Sequence, residues 1–141
     1  MYTDYTIMTA HRPLVREVNA VFDFIEKPYT PVNFKELLVP PNDMRKRFIA
    51  LINKEIKNKE QGKEAYILAK VNHITDRALV EKLYEASTAG VQVELVVRGN
   101  CSLVTGMAGI SENIHINGII DRYLEHSRIC LLYTSDAADE R

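Results

Sequence analysis

Long hydrophobic runs, a surplus of one charge and paired cysteines are all missing from this 141-residue sequence. No apolar stretch approaches the roughly 18 residues that span a bilayer, and the beginning lacks the basic-then-apolar pattern of a secretory signal, so a soluble cytoplasmic protein is expected. A formal charge of -1 argues against nucleic-acid or membrane-surface binding driven by bulk electrostatics, leaving local clusters of Lys and Arg to handle anions. Cys101 and Cys130 have no metal-type spacing with each other or with histidine, which indicates neither a zinc site nor a disulfide framework and fits a reducing compartment. What is present, 46% apolar residues, suffices for one compact domain or one domain plus a fragment.

Residues 1–10 are rich in Tyr, Thr and Ile and read as a strand. Pro13 suits a first helical turn, and Val15, Val18, Val21, Phe22 and Ile25 recur at helical steps, which predicts an amphipathic helix over residues 13–27. Residues 28–43 hold four prolines and the apolar run Leu37-Leu38-Val39, read as a crossing linker with one short strand and as the domain boundary. Asn42 or Asp43 can cap a second helix with Met44, Phe48, Leu51, Ile52 and Ile56 on one face and Lys54, Lys57 and Lys59 in water, closed by Gly62. The lysines could form a polyanion track, but a solvated face is the simpler reading. A buried strand over 65–71, a helix over 76–88 and a strand over 91–97 make a βαβ unit with parallel strands, so the class is α/β. Ligands of open parallel sheets sit beyond the carboxyl ends of the strands, which puts Lys70, Asn72 and Arg98 on the ligand-facing rim.

In an extended chain positions i and i+2 face the same way, so His126 and Arg128 could meet one phosphate at a strand entrance. His126 could serve as phosphate ligand, proton donor or nucleophile, or be a half-buried strand histidine bonded to a carbonyl. Arg98 could fork across two phosphate oxygens while Gly99 lets the backbone approach a ligand, or make a surface salt bridge. Lys70 and Asn72 are candidates for an anionic chain by rim position alone, and a structural role is open for both. His11, His73 and His115 show no ligand spacing. Residues 106–109 lack the lysine and hydroxyl of a phosphate loop and read as a flexible turn. Asp121 with Arg122 could be an ion pair orienting the strand that carries His126.

Taken together, Tyr2-Thr3-Asp4, Val96-Val97-Arg98-Gly99-Asn100-Cys101, the run from Gly106 to Ile114, Asn117-Gly118-Ile119-Ile120-Asp121-Arg122 and His126 resemble the polyphosphate kinase family, in the final part of its catalytic half. The resemblance runs from Tyr2 to Ile129. It implies a phospholipase D-like fold, with residues 1–30 ending a first catalytic lobe and 31–129 forming a truncated second one. It also implies reversible transfer of the terminal phosphate of ATP to inorganic polyphosphate through a phosphohistidine, with magnesium, in a homo-oligomeric enzyme that is cytoplasmic, with peripheral membrane association left open. Arg98 matches an arginine on the nucleotide phosphates and Tyr2 a tyrosine against the adenine, with Tyr5 as the neighbouring alternative. His126 matches a histidine of the nucleotide site, a role of ATP contact and acid catalysis. Lys70 is a candidate for polyphosphate. The histidine that becomes phosphorylated in the family has no match here, so the chain alone is expected to be inactive.

Residues 130–140 resemble a translated transposase adapter, so 130–141 is set aside as a non-native tail whose Leu131, Leu132 and Tyr133 could prolong the preceding strand. Two other functions compete. A phospholipase D-type phosphodiesterase would use His-x-Lys with a downstream Asp, against which stand Arg128 and the absence of a suitably spaced Asp outside the tail. A non-catalytic α/β binding module would need nothing beyond the βαβ unit.

Overall fold

The computed structural model describes residues 2–29, 31–40 and 44–133, and these group into two compact units, Thr6–Arg47 on one hand and Met1–Tyr5 with Phe48–Arg141 on the other. The first unit holds α1 (Arg12–Glu26), started by Pro13 as its composition dictates. The apolar set expected to face inward is largely exposed, and Leu14, Glu17, Ala20, Val21 and Phe24 form the half-buried side instead. On that side Glu17 anchors the following segment, its carboxylate accepting the main-chain N–H groups of Lys35, Glu36 and Leu37 at 2.7 to 3.1 Å. Burial alone would push the Glu17 carboxyl up, but those three donors and the nearby Arg47 guanidinium hold it below the ordinary range. With these N–H groups bound to a side chain, the strand expected at 37–39 does not form. Arg47 closes the same loop by donating to the carbonyls of Phe34, Lys35 and Leu37.

The second unit is built on the expected βαβ core. Helix α2 (Met44–Glu60) contributes Ile52 and Ile56 to the core and turns its lysines to water, while Gly62, at φ +74, reverses the chain after it. The expected caps Asn42 and Asp43 lie outside the described residues. Strand β2 (Tyr66–Val71) leads to α3 (Arg77–Thr88), capped by Asp76, which accepts the Leu79 N–H at 3.1 Å, and then to β3 (Gln92–Val97). Strands β2 and β3 are parallel, as the connection requires. A third parallel strand, β4 (Ile114–Gly118), joins β3, and β6 (Ile129–Leu132) lies antiparallel on the other side of β2, giving the order β4-β3-β2-β6. The remaining segments, β1 (Tyr2–Thr3) and β5 (Leu124–Glu125), form a separate parallel pair. The strand expected over residues 1–10 is thus only two residues long, because its partner offers no more.

The sheet is covered on one side. Ile67, Ala69, Val93, Leu95, Val97, Ile114 and Leu132 share the core face with α2 and α3 residues. Leu68 and its partner Leu131 point the other way and stay exposed, so β2 is buried on one face rather than two. A turn forms over residues 108–113, overlapping the one expected at 106–109, with Gly106 and Gly109 at positive φ. It is fastened rather than loose: the buried Ser111 hydroxyl accepts the Met107 N–H at 3.0 Å, and Thr88 donates to the Gly109 carbonyl. No helix of the described residues is long and apolar enough to cross a membrane.

Candidate functional site

Parallel strands end together, so the carboxyl ends of β2, β3 and β4 bring Asn72, Arg98 and Ile119 to one edge of the sheet. Because β6 runs the opposite way, its approach, residues 126–128, arrives at that same edge. A cleft of about 360 Å³ lies there, walled by Arg98 and residues 119–125.

Arg98 is held on two sides. Its main-chain N–H donates to the Val71 carbonyl at 3.3 Å and its Nε to Asn72 Oδ1 at 2.8 Å. Asn72 thereby fixes the plane of the guanidinium while using only the Nε hydrogen. Gly99 has a packing reason that differs from the expected approach of a ligand. A Cβ there would lie 2.6 Å from His73 Nδ1 and 3.0 Å from the Asn72 carbonyl, so the space is already filled. His73 Nδ1 accepts the Asn100 N–H at 2.9 Å, which makes this loop histidine a brace for the corner that carries Arg98.

The stretch around His126 shows the expected alternation although residues 126–128 lie between strands. Glu125 and Ser127 turn to Lys70, whose Nζ donates to Glu125 Oε2 at 2.7 Å and to Ser127 Oγ at 2.6 Å. His126 turns to Asp4, with Nδ1 3.0 Å from Oδ2. The hydrogen bond from His126, the Tyr5 N–H and the charges of His126 and Arg128 together hold the Asp4 carboxyl below its usual range, against some desolvation. Facing that carboxylate, Nδ1 is the ring nitrogen placed to donate, and Nε2 is the one that Asp4 does not engage. Glu125 is likewise held down, chiefly by the Lys70 hydrogen bond and further by Thr3, against its partial burial.

Tyr2 stands edge-on to the His126 ring, with centroids 5.0 Å apart and planes at 70°, and the residue as a whole is 65% exposed. The β1–β5 pair is what joins the start of the chain to this edge: Tyr2 pairs with Leu124, and the His126 N–H donates to the Thr3 carbonyl at 3.2 Å. Asp121 does not form the expected ion pair. Its carboxylate accepts the Arg122 main-chain N–H, and the Arg122 guanidinium lies 5.8 Å from the Tyr123 ring centroid.

The structure therefore places Arg98 at the cleft wall with Asn72 bonded to it, and gathers Tyr2 and His126 about Asp4. Lys70 is on the same rim but already engaged. Asp4, His73, Glu125 and Ser127 were not singled out from the sequence as contacts. Only alternation about His126 could have marked Glu125 and Ser127, and no local signal links Asp4 to a residue 122 positions away.

The family model for the polyphosphate kinase C-terminal domain 2 matches residues 37–140. Among curated relatives, the polyphosphate kinase of Vibrio vulnificus strain YJ016 is 46% identical over 133 residues, covering 94% of this chain and 19% of that protein. The polyphosphate kinase of Escherichia coli K12 is 46% identical over 129 residues, covering 92% of this chain and 19% of its own length. The crystal structure of polyphosphate kinase from Porphyromonas gingivalis superposes with a TM-score of 0.82 at 38% identity, over 92% of this chain and 21% of the other. The chain thus spans about a fifth of the length of the relatives it matches.

Proposed function

This chain belongs to the polyphosphate kinase family and has its phospholipase D-like fold, and from that premise we propose that it forms the nucleotide side of an ATP-polyphosphate phosphotransferase site. The observation that carries the reading is Arg98 on the wall of the strand-end cleft with Nε taken by Asn72, so that its two terminal amino groups serve an anion. Phosphoryl transfer is chiefly positioning and neutralisation of spread negative charge, the work that a fixed guanidinium does well.

In this reading Arg98 grips the nucleotide phosphates and the exposed Tyr2 ring offers a flat face to the adenine. His126 contacts the phosphates through Nε2 and acts as proton donor, with Asp4 holding its tautomer. The phosphohistidine forms on a residue outside this chain, and residues 1–30 and 31–129 belong to successive lobes of the longer protein. The enzyme acts in the cytoplasm as a homo-oligomer. Magnesium supplies charge neutralisation on the phosphates when bound. Among the described residues no three His, Cys, Asp or Glu side chains converge into a metal cluster.

The test uses a chimera in which residues 2–129 replace the matching stretch of the Vibrio vulnificus enzyme. ATP-dependent polyphosphate synthesis is expected in the chimera, and none from this chain alone. Arg98→Ala and His126→Ala should each lower turnover by about a hundredfold or more. Turnover that survives both substitutions would remove these residues from the site.

A further inference from the structure

We infer that Lys70 is a positioning residue that aims His126 by gripping the residues on either side of it. Lys70 sits near the end of β2, on the face of the sheet away from the core, opposite Ile129 of β6. One ammonium group reaches both Glu125 and Ser127, at 2.7 and 2.6 Å, and its side chain is 20% exposed against 17% for Glu125. Ser127 is buried. The residue between them points the other way, into the Asp4 carboxylate.

Residues 126–128 have left β5 and not yet entered β6, so main-chain pairing fixes little of their rotation. The His126 N–H bond to Thr3 fixes one point. Lys70 supplies two more, at positions i-1 and i+1, and with those two side chains held to one side, the imidazole must leave on the other. A single cation thus does for this stretch what strand pairing does elsewhere.

The same geometry weakens the alternative of a polyphosphate contact. An ammonium has three hydrogens, and two are spent on Glu125 and Ser127. The Glu125 carboxylate, kept ionised by that hydrogen bond, cancels the charge a polyanion would seek.

The inference rests on the role proposed for His126, and the experiment separates the two. In the chimera, Lys70→Met and Ser127→Ala are each expected to lower kcat about 10- to 100-fold, with KM for polyphosphate and its salt dependence unchanged. Ser127→Ala carries the test by itself if the lysine variant fails to fold, since it removes a hydroxyl and no charge. Placed in a His126→Ala background, either change should have no further effect on kcat, because it acts through the missing imidazole. A fall confined to the polyphosphate KM, or a full additional loss in the His126→Ala background, would overturn the positioning role. Normal turnover of His126→Ala alone would instead strike the underlying assignment.

Discussion

Arg98 and Asn72 meet side chain to side chain across the ends of two parallel strands, Nε to Oδ1 at 2.8 Å. The pair exists because β2 and β3 run in register, with Val71 beside Val97, so the next residue of each strand emerges at the same edge. Asn72→Ala leaves the guanidinium in place but free to turn. In the chimera KM for ATP should rise about tenfold, the worth of one hydrogen bond to a charged group. The ATP dependence of the initial rate measures it, and an unchanged KM would show that Asn72 does not orient Arg98.

Gly99→Ala places a methyl group against the His73 ring and the Asn72 carbonyl. The melting temperature should fall by the equivalent of about 1–3 kcal/mol, and most of the loss should disappear in a His73→Ala background, where the ring is gone. Equal losses in both backgrounds would mean that the Asn72 main chain, not the imidazole, sets the limit.

Leu95, 2% exposed in the middle of β3, is surrounded by core residues of the sheet and helices. Leu95→Ala should cost about 2–5 kcal/mol in urea unfolding. Its neighbour Glu94 lies on the exposed face, and Glu94→Ala should stay within about 0.5 kcal/mol of the parent. Similar effects at the two positions would contradict one-sided burial.

The Asp4 carboxyl is held below its reference value of 3.8 by His126, the Tyr5 N–H and Arg128. A carboxylate with a lowered folded pKa contributes stability that is complete above the unfolded value and is lost as the pH falls through the folded one. The Asp4–His126 link should therefore persist through neutral and mildly acidic solution and fail only below about pH 4. Carbon-13 NMR of the Asp4 carboxyl reads its midpoint directly, and a value at or above the reference would show that the contact does not form in solution.

Much of the second unit was legible because its elements are long and locally consistent. The helical pattern over 76–88 and the apolar runs of β2 and β3 each name their element without help from the rest of the chain. Strand β4 was missed, since Ile114–Gly118 alternates apolar with His and Asn and ends in glycine, a pattern shared with turns. The strand expected at Leu37–Val39 was lost to a carboxylate 18 to 20 residues away, a competitor for backbone donors that no local pattern reveals. The rule for strand ends does bring Arg98 and Asn72 to one edge of the sheet. The partners of His126 and Lys70 stayed hidden because they are set by pairings across most of the chain.

That separation has a consequence for assembly. Lys70 meets Ser127 across 57 positions and Asp4 meets His126 across 122, whereas the βαβ core closes over short spans. Each such closure is an entropic toll that grows with span, so the contacts about His126 cost more to close than the Arg98–Asn72 pair, which spans only 26 positions within the βαβ core.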